Sequence, residues 1–221
     1  MKVLIACEES QEVCKAFREK GHEAYSCDMV DCSGGHSEWH IKENCLPMIN
    51  GGVVFKTVDG KSHECAGVWD LIIAHPPCTY LTSTGNRWFK DEFGMAARSR
   101  YLDRMDAIRL FMGFVLCSAK RVAIENPVGI MSGVYRKPDQ IIQPYEYGHP
   151  SRKATCLWLR NLPLLKPTNI VEPELKCYIN KDGRLTRYSA DYGTGYEKEA
   201  SARRRSKTYS GIAKAMADQW G

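Results

Sequence analysis

The sequence lacks the long apolar segments by which membrane and secreted proteins are recognised. No stretch approaches the roughly 20 apolar residues that a helix needs to cross a bilayer. Met1–Ala6 is too short for the apolar region of a signal peptide and is typical of a first β-strand. Internal repeats and low-complexity tracts are also missing. We therefore expect a cytoplasmic protein without a membrane segment.

The loop after the first predicted strand lacks the Gly-x-Gly-x-x-Gly motif, which binds the phosphates of dinucleotides in other proteins. The surrounding pattern is nonetheless that of a nucleotide-binding β-α-β unit, with strands at Lys2–Ala6 and Glu23–Cys27 around a short amphipathic helix. Asp28 follows the second strand, where an acid accepts hydrogen bonds from ribose hydroxyls. A nucleoside ligand without phosphates fits this combination better than a dinucleotide.

The ten cysteines do not indicate a disulfide scaffold, because such scaffolds occur in small secreted chains. Several lie within predicted strands or helices, which indicates reduced and buried thiols. One group has side chains of the types that ligate zinc: Cys27, Cys32, His36 and His40. Its spacing is looser than that of structural zinc sites, so we expect a polar loop and no metal.

Two apolar strands that end in proline-containing loops carry the most informative residues. Leu71–Ala74 is a continuous apolar run, as in a strand buried on both faces, and two prolines then end it just before Cys78. Arg121–Ile124 repeats the pattern and is followed by Glu125. Ligands of open α/β sheets bind beyond the carboxyl ends of strands, so these residues predict a nucleophile with an acid/base beside it. The alternative is that Cys78 is a small buried hydrophobic residue.

Pro76-Pro77-Cys78 and Glu125-Asn126 resemble, in this order, the Pro-Pro-Cys and Glu-Asn-Val motifs of the cytosine-5 DNA methyltransferases. In the second motif one proline is inserted. The chain is similar over most of its length to a compact, phage-type member of that family. The resemblance implies an α/β fold: a Rossmann-like, S-adenosylmethionine-dependent methyltransferase sheet with helices on both faces and a very short recognition insert.

The resemblance also implies a division of the chain into three parts. These are a catalytic domain at 1–163, a target-recognition region at 164–205, and a C-terminal helix at 206–221 that packs back on the catalytic domain. Lys181–Lys207 contains eight basic and four acidic residues and so carries a net charge of +4. Such a surface suits nucleic-acid phosphates, although a solvated loop has a similar composition. We expect DNA as the partner and a monomer, with a second protein as a further source of target recognition.

Individual roles follow from the same resemblance. Cys78 is the expected nucleophile toward carbon 6 of cytosine, Glu125 holds or protonates N3, and Lys153 stabilises charge that develops at O2. S-adenosylmethionine is the expected cofactor. Its expected contacts are Ala6, Cys7, Glu8, Asp28, Asn44 and Pro76. The expected substrate contacts are Ser83, Asn86, Arg87, Asn126 and Arg152.

The sequence therefore predicts a DNA cytosine-5 methyltransferase that acts through a covalent Cys78 adduct. Two alternatives stay open. One is the same chemistry on free cytosine nucleotides, for which a short recognition region would suffice. The other is a non-catalytic nucleic-acid-binding relative. Amino-methyltransferases place an aromatic residue after Pro-Pro, and the cysteine at this position argues against them.

Overall fold

A computed structural model describes residues 1–90, 92, 94–179, 182–189 and 207–221 of the protein. The strands are β1 Lys2–Ala6, β2 Glu23–Cys27, β3 His40–Ile41, β4 Val53–Lys56, β5 Ser62–Cys65, β6 Leu71–Ala74, β7 Arg121–Pro127, β8 Gln140–Ile142, β9 Thr155–Arg160, β10 Leu175–Ile179 and β11 Leu185–Ser189. The α-helices are α1 Glu12–Glu19, α2 Gly94–Leu116, α3 Met131–Val134 and α4 Ser210–Trp220.

Seven strands form one sheet in the order β3-β2-β1-β6-β7-β9-β8. Strand β9 runs antiparallel to both of its neighbours, and the other neighbouring pairs are parallel. The chain moves outward from β1 through β2 to β3 and then returns to the other side of β1 as β6, which makes a topological switch point. The carboxyl ends of β1, β2, β6 and β7 therefore share one edge. The predicted Rossmann-like α/β fold is confirmed.

Helices cover both faces of this sheet, as predicted. Because side chains alternate along a strand, Leu4 and Ile5 of β1 enter different cores. Leu4 belongs to the core that Phe111 of α2 completes. Ile5 belongs to the core that contains Phe17 of α1 and Trp220 of α4. All five side chains are essentially inaccessible to solvent, and each contributes about 1.5–3 kcal/mol of burial free energy.

The expected recognition region contains the antiparallel hairpin β10–β11, which does not join the main sheet. Of the basic stretch Lys181–Lys207, residue 181 and residues 190–206 lie outside the described residues. The division of the chain into a catalytic and a recognition part stays a prediction. Among the helices of the described ranges, none is both long and apolar enough to cross a bilayer.

Arg160, the last residue of β9, holds the carboxyl end of α2. Its guanidinium donates hydrogen bonds to the carbonyl oxygens of Val115 at 3.0 Å, Cys117 at 2.7 Å and Ala119 at 2.8 Å. Carbonyls at this end of a helix lack partners within it and carry the negative end of the helix dipole. One cation therefore satisfies three carbonyls and joins the helix to the sheet.

The substitution Arg160→Met keeps the apolar stem but removes these bonds. We expect it to lower the free energy of unfolding by about 3 kcal/mol, because buried carbonyls lose a charged donor. Urea denaturation measures the change. The matched control is Arg109→Met on α2, whose side chain is 77% exposed and pairs only with Asp106 among the described contacts. Equal losses in the two variants would contradict the role assigned to Arg160.

Candidate active site

A cavity of about 340 Å³ opens at the carboxyl edge of the sheet. Its walls come from the loops after β1, β2 and β6, from the last residues of β7 and from the segments that precede β9 and α4. All three predicted catalytic residues line it: Cys78, Glu125 and Lys153. Five of the other predicted site residues also line it: Cys7, Glu8, Asp28, Pro76 and Asn126. These eight predicted residues come from five separate chain segments, which the structure brings to one place.

Asn126 ties the two proline-containing strand ends together. Its side chain is buried, and its amide nitrogen donates to the carbonyl oxygen of Pro76 at 2.7 Å. Beyond the prolines, the carbonyl oxygen of Cys78 accepts hydrogen bonds from the N–H groups of Leu81 and Thr82 at 3.0 and 2.9 Å. These bonds fix the backbone on both sides of the thiol. Cys78 itself is exposed at the cavity wall.

Glu125 is a largely buried carboxylate that the surroundings keep ionised. Burial favours its protonated form, but a hydrogen bond from His75, the positive charge of Lys153 and a hydrogen bond from Thr155 outweigh that effect. Together they hold the pKa of Glu125 below its ordinary value. The free protein therefore presents a carboxylate, not a carboxylic acid, beside Cys78 at neutral pH.

The thiol of Cys78 is shifted in the opposite direction. Desolvation by the cavity walls is the main effect that raises its pKa, and the negative charge of Glu125 adds to it. Lys153 acts against both effects because its positive charge favours the thiolate. In the free protein Cys78 is therefore mainly a neutral thiol, and Lys153 is the group that favours its activation.

His75 is a member of this site that sequence reasoning missed. Its Nδ1 lies 3.4 Å from Oε2 of Glu125, and its side chain is only 10% exposed. Its backbone N–H donates to the carbonyl oxygen of Ala6 at 2.9 Å, which places it between β1 and β7. The only sequence signal is a histidine directly before Pro-Pro at the end of an apolar strand.

The loop after β1 turns without glycine. Cys7 takes a left-handed backbone conformation with φ of 59°, which costs a residue with a side chain about 1–2 kcal/mol. The N–H groups of Cys7 and Glu8 both donate to the carbonyl oxygen of Cys27, at 2.7 and 3.3 Å. This turn replaces the missing glycine-rich motif and brings Cys7 to the cavity wall.

Glu8 lines the cavity, but its carboxylate is used within the protein. Its two oxygens accept hydrogen bonds from the backbone N–H groups of Val13 at 2.7 Å and Cys14 at 3.2 Å, in the first turn of α1. Burial raises the pKa of Glu8, and the charge of His75 and the two N–H bonds oppose this rise. Glu8 therefore caps the amino end of α1, and its predicted contact with a cofactor stays a prediction.

A second cavity, also of about 340 Å³, adjoins the first and shares Cys7, Asp28 and Pro77 with it. Asn44 lines this second cavity together with the apolar side chain of Leu110. Asp28 stands where the two cavities meet, at the end of β2 as the sequence predicts. Ala6 lines neither cavity, because its side chain is buried in the sheet.

The predicted substrate residues after Cys78 do not line either cavity. Ser83, Asn86 and Arg87 lie in a 3-10 helix, in which Asn86 accepts a 2.8 Å hydrogen bond from Arg104. Arg152 is exposed and also lies outside the cavity walls. Their contact with a substrate stays a prediction.

Two of the four residues with zinc-ligating side chains, His40 and Cys27, have other partners. His40 is bonded at both ring nitrogens, to the hydroxyl of Ser26 and to the carbonyl oxygen of Val30, each at 2.9 Å. The thiol of Cys27 donates to the carbonyl oxygen of Glu43. Among the described residues, no group of three metal-ligating side chains is arranged to hold an ion.

Comparisons with known proteins give structural matches at low sequence identity. No protein-family model matches the sequence, and no curated protein matches it significantly. A candidate DNA modification methyltransferase encoded within a prophage (E. coli) is 15% identical, with a TM-score of 0.46 over 78% of this chain and 52% of that chain. A DNMT2 mutant of Spodoptera frugiperda is 14% identical, with a TM-score of 0.37 over 79% of this chain and 57% of that chain. This chain thus spans a little more than half the length of either structure.

Because charges of both signs lie near Cys78, substitutions should either lower or raise the pH at which its thiol reacts. We expect Glu125→Gln to move the alkylation of Cys78 by iodoacetamide to lower pH by about one unit, because a negative charge that disfavours the thiolate is removed. Lys153→Met should move it to higher pH, because the favourable cation is lost. Mass spectrometry of the Cys78 peptide across a pH series measures both shifts, with the exposed Cys177 as internal reference. An unchanged pH dependence in both variants would contradict the electrostatic assignment.

Proposed function

We propose that this protein is an S-adenosylmethionine-dependent DNA methyltransferase that methylates carbon 5 of cytosine. The observation that carries the proposal is the meeting of Cys78, Glu125 and Lys153 in one cavity at the carboxyl edge of a parallel sheet. A nucleophile, an acid/base and a cation are the three groups that addition to a pyrimidine ring requires.

The second cavity fits S-adenosylmethionine. Asp28 at the end of β2 can accept hydrogen bonds from ribose hydroxyls, and Leu110 and Pro77 offer apolar surface to an adenine ring. Asn44 adds an amide that can hydrogen-bond the edge of a base. When bound, the cofactor supplies an electrophilic methyl group. Because the two cavities share Cys7, Asp28 and Pro77 in their walls, that group and the target base would come together near Cys78.

In the proposed reaction Cys78 adds to carbon 6 of cytosine, and this addition makes carbon 5 nucleophilic. As the S–C6 bond forms, the C5=C6 electron pair moves to C4–C5, and the C4=N3 pair takes up a proton at N3. Glu125 is the group placed to hold N3, and Lys153 stabilises negative charge that develops on the ring. After methyl transfer, the C5 proton passes to solvent water, its bonding pair re-forms the C5=C6 bond, and the S–C6 pair leaves with the Cys78 thiolate.

DNA is the proposed substrate because of the cations on the cavity wall and on the hairpin β10–β11. Lys207 lines the cavity itself and also donates to the hydroxyl of Ser33 at 3.1 Å. The hairpin β10–β11 carries exposed Arg184 and Arg187. Cations of this kind contact phosphates, while the target base must leave the stack to reach a thiol in a cavity.

Methyl transfer from labelled S-adenosylmethionine tests the proposal. Duplex DNA should acquire label at carbon 5 of cytosine, and Cys78→Ala should lose this activity by at least about 1000-fold, because the nucleophile is gone. Cys177→Ala, which removes the other exposed thiol, should keep the wild-type rate. Label on free cytosine nucleotides alone would keep the chemistry and change the substrate. DNA binding with no methyl transfer would favour a binding protein.

Covalent chemistry is tested with duplex DNA that contains 5-fluorocytosine. Elimination needs loss of a proton from carbon 5, and fluorine cannot leave in its place. The Cys78 peptide should therefore be recovered cross-linked to DNA, with one added methyl group, by mass spectrometry. Methylation without a cross-link, or a cross-link to another residue, would overturn the assignment of Cys78.

A further inference from the structure

His75 is a largely buried polar side chain that lines the cavity and has no role in the proposed reaction. Its Nδ1 contacts Oε2 of Glu125 at 3.4 Å, and its Nε2 has no hydrogen-bond partner among the described residues. A buried ring nitrogen without a partner costs about 1–3 kcal/mol. Buried polar atoms without a hydrogen-bond partner are rare in native proteins, so the Nε2 atom of His75 calls for a functional explanation.

The contact with Glu125 decides which ring nitrogen carries a proton. A carboxylate only accepts hydrogen bonds, so Nδ1 of His75 must be the donor. Through this bond the His75 ring holds Oε2 of Glu125 in position. Other titratable groups line the same cavity. The loop after β1 supplies Cys7, Glu8 and Glu9, while Asp28 follows β2 and Cys78 follows β6. Glu125 lies in β7, Lys153 precedes β9 and Lys207 precedes α4.

The proton that N3 takes up during addition has no source in Glu125 itself, since this carboxylate is ionised in the free protein. Resting on the proposed function, we propose that His75 is the positioning residue for Glu125 and holds the proton that Glu125 delivers to N3. Nδ1 of the His75 imidazolium passes its proton to the ionised Glu125, and as the S–C6 bond forms Glu125 passes that proton to N3 and is again a carboxylate. When Cys78 is expelled, N3 returns the proton along the same path and His75 is again an imidazolium.

The first test compares single-turnover methyl transfer in His75→Gln and His63→Gln. Glutamine keeps an N–H donor for Glu125 but cannot lend a proton at neutral pH. His63 is the matched control, because it is a partly buried histidine that bonds Tyr25 at 2.9 Å and Thr57 at 3.1 Å outside both cavities. We expect His75→Gln to be at least about 100-fold slower and His63→Gln to stay within about twofold. Thermal unfolding of both variants establishes that they fold.

The pH dependence separates proton delivery from a purely structural role. A rise in pH gives more Cys78 thiolate, and a step that also takes up a proton should make the wild-type rate rise less steeply than the thiolate population. In His75→Gln only the thiolate dependence remains, and the rate should climb about tenfold per pH unit. The wild-type rate and the wild-type pH profile in His75→Gln would overturn the proposal.

A measurement without turnover keeps this proposal distinct from the proposed function. In ¹⁵N-labelled protein, the ring nitrogens of neutral His75, assigned by their loss in His75→Gln, should show the proton on Nδ1. If the wild type transfers no methyl to DNA or nucleotides, the proposed function fails, and this spectrum still decides the place of His75. A proton on Nε2 would overturn the pairing with Glu125, and a proton on Nδ1 supports it.

Discussion

The parallel pairing of β6 with β7 is the constraint on which the site depends. Ala74 lies opposite Ile124 in this pair, so the residues that follow, His75 and Glu125, emerge side by side. The amide of Asn126 then fixes the Pro76 carbonyl, and the thiol of Cys78 follows within the same loop. A shift of one residue in register would send Glu125 to the other face of the sheet and separate it from the thiol.

The electrostatic consequence is that both groups have the protonation state opposite to the one that addition needs. Glu125 is held ionised, while Cys78 is held as a thiol by desolvation and by the charge of Glu125. Environments that separate two pKa values in this way are typical of acid/base sites. Lys153 favours the anionic form of both residues. Reaction therefore requires protons to move when substrate enters, and His75 lies against the carboxylate through which they would pass.

The sequence predicts three strands that build the site with their observed limits: β1 and β6 are short apolar runs, and β2 follows the predicted helix and ends at Asp28. Cys78 and Glu125 could be predicted because both follow such a run. His75 could not, since a residue between a buried strand and Pro-Pro gives no sign of what lies beside it on β7. The helix-capping role of Glu8 and the three carbonyls held by Arg160 depend on long-range packing that no local pattern encodes.

The loop after β1 is a second case in which the sequence predicts only part of what the structure shows. The missing glycines correctly predict a loop that differs from a dinucleotide-binding turn, but not that Cys7 supplies the left-handed residue. The substrate role predicted for Ser83, Asn86 and Arg87 depends only on their place after Cys78, and the structure puts them in a 3-10 helix away from both cavities. Position in the chain predicts elements better than it predicts contacts.

The central claim is that Cys78 and Glu125 act as one chemical unit. A double-mutant cycle on the single-turnover rate of DNA methylation, with Cys78→Ser, Glu125→Gln and the double variant, tests it most directly. If the two residues serve one addition step, the double variant should be no slower than the slower single variant. Losses that multiply in the double variant would show that the two residues act independently, and would contradict their assignment to a single step.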